Sequence, residues 1–322
     1  MTVGQRPTEL PVVLAGRALQ LLEERGITTA PWFARTVNSG IRWEAWARPL
    51  VQRGSTSSRS TTVNVHVTGD GPPVVLVNGW TASGLVWPER LVEALSERFT
   101  VARVDNRGTG WSRRMPRPYT IADLADDVRA VIDDLDAGSA VVVGLSMGGM
   151  IAQELALRHP DHVAHLVLLG SRPPIPEVTL PPPRMSTLML DNPRPGEPLD
   201  EFMRSRWGLT TAPGFAEAHP EVVDELAGAI VARVTPRGAV QDQARAIAGW
   251  SGAHRLRNLR VPATVVHGEL DPLSPVRNGM RLAQLIPGAR YVELAGVGHL
   301  VPYEAPEVVR REVEAAAAGP RP

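Results

Sequence analysis

From residue 63 onward the chain alternates two kinds of segment, and no other feature limits its possible folds as much. Short apolar, β-branched runs stand at VNVHVT (63–68), PVVLVN (73–78), TVARVD (100–105), AVVVG (140–144), HLVLLG (165–170), ATVVHG (263–268) and YVEL (291–294). Among them, helical spacing of apolar residues predicts helices over 87–97, 120–136, 147–159, 276–286 and 304–317. Most of the runs are continuous rather than alternating, which is how strands look when both sheet faces are covered. The β–α–β–α rhythm then predicts an α/β protein with a doubly wound, mostly parallel sheet. In such sheets ligands sit beyond the carboxyl ends of the strands. The residues just after each run are therefore where chemistry is to be sought.

Two regions stand apart from this rhythm. Prolines crowd residues 173–198, helical patterns follow near 199–207 and 217–250, and the whole stretch 171–250 holds no strand pattern. An element of this length between two core strands predicts an inserted helical cap or lid. Residues 1–60 read as an N-terminal helical extension and linker. They hold a helical pattern at 14–26, Trp32, Trp43 and Trp46 among arginines, and the polar stretch GSTSSRSTT (54–62). The core is then 61–170 together with 251–318.

The formal net charge is zero and the basic side chains are all arginine. That balance gives no reason to expect nucleic acid or an anionic membrane as partner. The absence of Cys excludes disulfides, a thiol nucleophile and thiolate metal sites. No apolar run approaches the roughly 18–20 residues that span a bilayer. LPVVLAG (10–16) is short, follows an acidic residue and lacks a charged leader, so it does not make a secretory signal. A cytoplasmic location is the expectation.

At 140–150 the run AVVVG gives way at once to a helical pattern beginning at Met147, with Ser146 held between Gly144 and Gly148. A hydroxyl at the end of a buried run is a poor packing choice. G-x-S-x-G in a strand–turn–helix context makes it a nucleophile lifted over the sheet on a tight turn, with the helix N-terminus favouring developing negative charge. A serine hydroxyl needs a base. Of the eight histidines only His299 follows a late strand in a glycine-rich loop, GVGH (296–299). His159, His162 and His165 are closely spaced, but Pro160 interrupts any shared helix face, so no metal site is expected there. His267 ends a strand and is read as shaping its turn. The base needs an orienting carboxylate, and HGELDP (267–272) offers Glu269 and Asp271. Asp271, deeper in the turn and before Pro272, is the better placed. Backbone N–H groups of Met147 and of Trp80, in VNGWTASG, would form an oxyanion hole. GTG (108–110) lacks the third glycine of a dinucleotide loop, and Asp105 and Arg107 beside it read as turn-stabilising partners.

Residues 63–318 resemble the cap-bearing α/β-hydrolase superfamily. The resemblance rests on NGW (78–80), DNRGTGWS (105–112), GLSMGGMIAQELALRHPDHVAHLVLLGS (144–171), HGELDP (267–272) and GVGHLVPYEAPE (296–307). It implies Ser146 as nucleophile, Asp271 as orienting acid and His299 as base, in the superfamily's chain order, with the N–H groups of Trp80 and Met147 as oxyanion donors. Asn78 replaces the histidine usual before that glycine. Ser146 argues against the haloalkane dehalogenases, which use Asp. The sequence HLVPYE after the histidine departs from the aromatic that meta-cleavage hydrolases often carry there. The resemblance is nearest to small-ester and enol-lactone hydrolases, perhydrolases and polyketide methylesterases. The expected activity is cofactor-independent serine hydrolysis of a carboxylic ester, lactone or thioester of a small to medium apolar molecule, through an acyl-enzyme and without metal. Acyl transfer, cyclisation or perhydrolysis would use the same triad, whereas a ligand-binding protein on this fold would not need it intact. Trp207, Trp250 and Met185, with Met189 and Phe202, are candidates either for an apolar substrate pocket or for the cap's own small core.

Overall fold

The computed structural model describes residues 63–113, 116–188 and 190–319. The predicted N-terminal extension and linker, with Trp32, Trp43 and Trp46, and the candidate Met189 lie outside the described residues.

Among the described residues seven strands form one sheet: β1 (Val65–Thr68), β2 (Pro73–Val77), β3 (Thr100–Val104), β4 (Ala140–Leu145), β5 (Val163–Leu169), β6 (Ala263–Gly268) and β7 (Arg290–Leu294). Their order is β1-β3-β2-β4-β5-β6-β7. Only β1 runs antiparallel to its neighbour, and every other pairing is parallel. All seven correspond to the runs read from the sequence. The continuous runs divide between the two faces with the period of a strand. Val75, Val77, Val142, Leu166, Leu168 and Val265 belong to one buried cluster. Val74, Leu76, Val141, Val143, Val167, Leu169 and Val266 belong to the other. Each face carries helices. On the first lie α2 (Ile121–Asp134) and α3 (Met147–Arg158); on the second lies α1 (Glu89–Ser96), through Leu91, Val92 and Leu95. Each of these fully buried Val and Leu side chains contributes roughly 1.5–3 kcal/mol.

Between β5 and β6 the chain leaves the sheet and forms α4 (Pro183–Leu188), α5 (Leu199–Gly208), α6 (Phe215–Ala218), α7 (Pro220–Ala232) and α8 (Arg237–Gly249). The sequence expectation of one helical pattern over 217–250 resolves into three helices. Pro220 opens α7 and Pro236 caps α8, since proline is tolerated only at a helix start. α4 was not predicted. Beyond the insertion come α9 (Arg277–Leu285), α10 (Val301–Glu304) and α11 (Pro306–Ala318). α11 matches the helix read over 304–317, opening at Pro306, and the short α10 before it was not predicted. No described helix is long and apolar enough to cross a membrane.

The strand order fixes where a site can form. From β2 the chain crosses to β3 on one side, and from β4 it crosses to β5 on the other. The switch point therefore lies between the carboxyl ends of β2 and β4, which pair Val77 with Gly144. The loop 78–84 and Ser146 leave the sheet there.

Candidate active site

Ser146 is only partly buried, in a stretch whose other members from Ala140 to Met150 are all buried. It has φ 55 and ψ −115, a left-handed region that a side chain other than glycine rarely adopts. Three contacts hold it there. Its N–H donates to the Leu169 carbonyl at 2.8 Å. Its own carbonyl accepts from the Ser171 hydroxyl at 2.8 Å and from the Gly149 N–H at 3.0 Å. A Cβ on Gly144 would lie 2.5 Å from the Gly148 carbonyl oxygen, and one on Gly148 would lie 2.0 Å from that of Val77. Both glycines of the motif are thus required by close backbone approach rather than by torsion.

His299 follows β7 and is 3% exposed, and Asp271 follows β6. His299 Nδ1 lies 2.7 Å from Asp271 Oδ2, and a neutral ring donating there presents Nε2 without a proton, the tautomer a general base requires. The pair rests on the end of β5. A Cβ on Gly170 would sit 3.2 Å from Asp271 Oδ2 and 3.3 Å from His299 Nδ1. The next residue, Ser171, is the one bonded to the Ser146 carbonyl. The other Asp271 oxygen accepts the N–H groups of Leu273 at 2.9 Å and Ser274 at 2.7 Å. Glu269 instead takes the Gly296 N–H at the surface.

The sequence placed His267 in the turn. The structure also places it 3.3 Å from Asp271 Oδ2, fully buried. Its Nε2 donates to the Ser274 carbonyl at 2.7 Å, so the proton is on Nε2. Burial alone would raise the Asp271 carboxyl. The charge of His299, its hydrogen bond from Nδ1 and the neighbouring His267 ring instead hold it down to about 2. A carboxyl depressed by folding stabilises the fold above its unfolded value of about 3.9, and that contribution is lost as pH falls from there through the folded value. Its size is on the order of 2 kcal/mol. Between about pH 5 and about pH 2, wild type is therefore expected to lose more melting temperature than Asp271→Asn. Equal losses in thermal melts would show that the carboxylate is not held ionised.

The loop after β2 is braced by the residue that departs from the superfamily pattern. Asn78 donates to the Ser83 carbonyl at 2.7 Å and accepts the Gly79 N–H at 3.1 Å, while its own carbonyl accepts from Asn106 at 3.0 Å. A Cβ on Gly79 would lie 3.3 Å from Ser146 Cβ, so the loop backbone runs against the serine. The N–H groups of Trp80 and Met147 donate to no acceptor among the described residues. Asp105 and Arg107 lie behind this loop. Asp105 accepts the Gly84 N–H at 2.7 Å and the Trp111 N–H at 2.9 Å, and Arg107 pairs with Asp127. The three closely spaced histidines take separate partners: His159 binds Asp126, His162 binds Asp133 and His165 binds the Thr264 hydroxyl.

The insertion meets the site on two sides. His299 N–H donates to the Thr210 carbonyl at 2.9 Å. Glu304, which the sequence did not single out, accepts the N–H groups of Ala212 and Gly298, each at 2.8 Å, and of Leu300 at 3.0 Å. Burial raises its carboxyl despite those three donors. Glu304→Gln exchanges one acceptor oxygen for an NH2, leaving a buried N–H unpaired at a cost of about 1–3 kcal/mol. A lower melting temperature and a lower kcat are expected together, measured on one preparation by thermal denaturation and steady-state kinetics. Trp207 and Phe202 share an apolar cluster with Ala82, Val86 and Leu300, against which Trp80 packs. Trp250 does not join them. It packs in the main core and donates its indole N–H to Glu154 on α3. Met185 lies on α4, and no described contact brings it to the serine.

Switch-point placement, a strained serine and a His–Asp pair define the class of fold and site. The chain belongs to the alpha/beta hydrolase fold family, whose match spans residues 72–306. It is similar to rhodomycin D methylesterase of Streptomyces peucetius, 29% identical over 267 residues that cover 71% of this chain and 85% of that one. It is also similar to 3-oxoadipate enol-lactonase 2 of Acinetobacter baylyi, 26% identical over 249 residues covering 76% and 88%. Among solved structures, a thermophilic esterase from Thermogutta terrifontis aligns with a TM-score of 0.66 at 28% identity, covering 82% of this chain and 97% of that one.

Proposed function

We propose that this protein is a cofactor-independent serine hydrolase that cleaves a carboxylic ester or lactone of a small to medium apolar substrate. One observation carries the reading. A partly exposed serine at φ 55 stands at the switch point of the sheet, and a buried His299–Asp271 pair rests on Gly170, next to the Ser171 whose hydroxyl binds the Ser146 carbonyl. The ester-cleaving and lactone-cleaving relatives support it.

His299 Nε2 takes the proton as Ser146 Oγ attacks the carbonyl carbon. Asp271 stabilises the imidazolium that results. The carbonyl electron pair moves to oxygen, where the N–H groups of Trp80 and Met147 receive it. Collapse expels the alcohol, which leaves with the proton from His299. A water then gives its proton to His299 and attacks the acyl-enzyme, releasing the acid and restoring Ser146. Residues 171–250 act as the cap.

The test is intact mass after exposure to a fluorophosphonate. A single adduct on wild type and none on Ser146→Ala is expected, followed by turnover within a panel of esters and lactones. A folded wild type that takes no adduct and cleaves no member of the panel would overturn the reading.

A further inference from the structure

The oxyanion loop is shaped by the insertion as well as by the sheet from which it emerges. Thr81, next to Trp80, has φ 69. For a β-branched residue this is a costly conformation, retained only where surrounding contacts over-determine it. Its N–H donates to Gln243 Oε1 at 2.8 Å, and its carbonyl accepts from the Thr235 hydroxyl at 2.7 Å. The Trp80 indole N–H donates to the Val240 carbonyl at 2.9 Å. All three partners lie within 235–243, on α8 and the turn before it. The Gln243 amide nitrogen donates to the Arg107 carbonyl at 3.3 Å, and Gln243 is fully buried. Arg107 belongs to the loop after β3, so one side chain joins two strand-end loops.

These bonds fix both peptide planes around Thr81, and with them ψ of Trp80. The Trp80 side chain is pinned separately. On its other flank Asn78 sets the Gly79 peptide. The direction of the Trp80 N–H is thus determined from both ends, and the end nearer Thr81 is determined by the insertion. The Arg117–Asp242 pair seats α8 on the core, and the Tyr119 hydroxyl lies 3.5 Å from the Ala239 carbonyl of α8.

We infer that Gln243 and Thr235 are positioning residues for the oxyanion hole, and that the docked α8 is part of the catalytic apparatus. This rests on the hydrolase reading above. Preorganised donors are effective because they need no reorganisation as charge develops. An insertion that opened as a single lid would carry away the partners of Thr81 and leave the hole unformed. Access for substrate must come from elsewhere in the insertion.

The experiment compares Gln243→Leu and Thr235→Val with wild type on an ester that wild type cleaves. Three readouts are taken: kcat and KM, inhibition by a trifluoromethyl ketone, and hydrogen exchange of the peptide spanning 79–84. For Gln243→Leu, kcat is expected to fall roughly 10- to 100-fold with KM changed less than about threefold. Ketone affinity falls in step with kcat/KM, and the peptide exchanges faster. Thr235→Val moves all three the same way by less, and it carries the test if Gln243→Leu does not fold. A merely structural role would lower melting temperature without moving kcat or ketone affinity of the folded protein. Folded variants with wild-type kcat and ketone affinity overturn the inference while the hydrolase reading stands. A wild type inert to esters and to fluorophosphonate overturns that reading and this role with it.

Discussion

Ser146→Ala is expected to lower kcat by about 10⁶ and to abolish fluorophosphonate labelling, with the fold intact. The serine hydroxyl makes no hydrogen bond to another described residue, so removing it leaves no buried partner unsatisfied. His299→Ala is expected to cost about as much, because without the base the hydroxyl stays protonated. Asp271→Ala should cost less, roughly 10⁴, since in the proposed triad the aspartate acts only through the imidazole at 2.7 Å. That variant carries a second effect the others lack. The N–H groups of Leu273 and Ser274, and His267 at 3.3 Å, lose their common acceptor. A drop in melting temperature should therefore accompany Asp271→Ala and be absent from Ser146→Ala. The decisive comparison is the order of the three kcat values on one ester. An aspartate variant slower than the histidine variant would end the assignment of Asp271 as an orienting group, and a Ser146→Ala that still turned over would end the assignment of the nucleophile.

What the sequence discloses about this site is what is local in the chain. Strands β2, β4, β5 and β6 are legible because helices cover both faces, which forces continuous apolar runs. G-x-S-x-G is legible because its glycines answer to backbone atoms within a few residues or on the adjacent strand. The residues that tie the site together are not legible in this way. Gln243 and Thr81 are 162 positions apart, and Glu304 and Ala212 are 92 apart. In sequence Gln243 looks like the polar face of an amphipathic helix, the ordinary appearance of a solvated glutamine. Only the packing of α8 against the loops after β2 and β3 turns that face inward. His267 shows the same limit from a shorter distance: its position at a strand end is evident, but its approach to Asp271 depends on how tightly the 268–274 turn closes. Trp250 shows the opposite error, since a tryptophan near the end of an insertion has no sequence mark saying which core receives it.

The same dependence on backbone approach sets the largest expected effect on stability, that of Gly148→Ala. A Cβ there would stand 2.0 Å from the Val77 carbonyl oxygen and 2.9 Å from that of Asn78. Both obstacles are main chain, one in a central strand and one in the oxyanion loop, so no side chain can swing aside. Overpacking a core typically costs about 1–3 kcal/mol, and contact with fixed backbone on two sides puts this site at or above the top of that range. At roughly 2–4 °C per kcal/mol for a domain of this size, a fall of about 6–12 °C is expected. Activity should fall as well, because the strain is relieved only by moving α3 away from β2 and so separating Ser146 from the Trp80 loop. Gly228→Ala is the matched control. It lies inside α7 with nothing within 4 Å of the new Cβ, and there the same methyl is expected to stabilise by about 0.4–1 kcal/mol through helix propensity and lost unfolded-state freedom. Opposite signs for one chemical change, read by thermal denaturation of the two variants, follow only if α3 packs directly on the β2 backbone. Equal effects would mean that the Ser146 turn has room to spare, and with it that the close seating of Ser146 against the loop after β2 is not what the fold enforces.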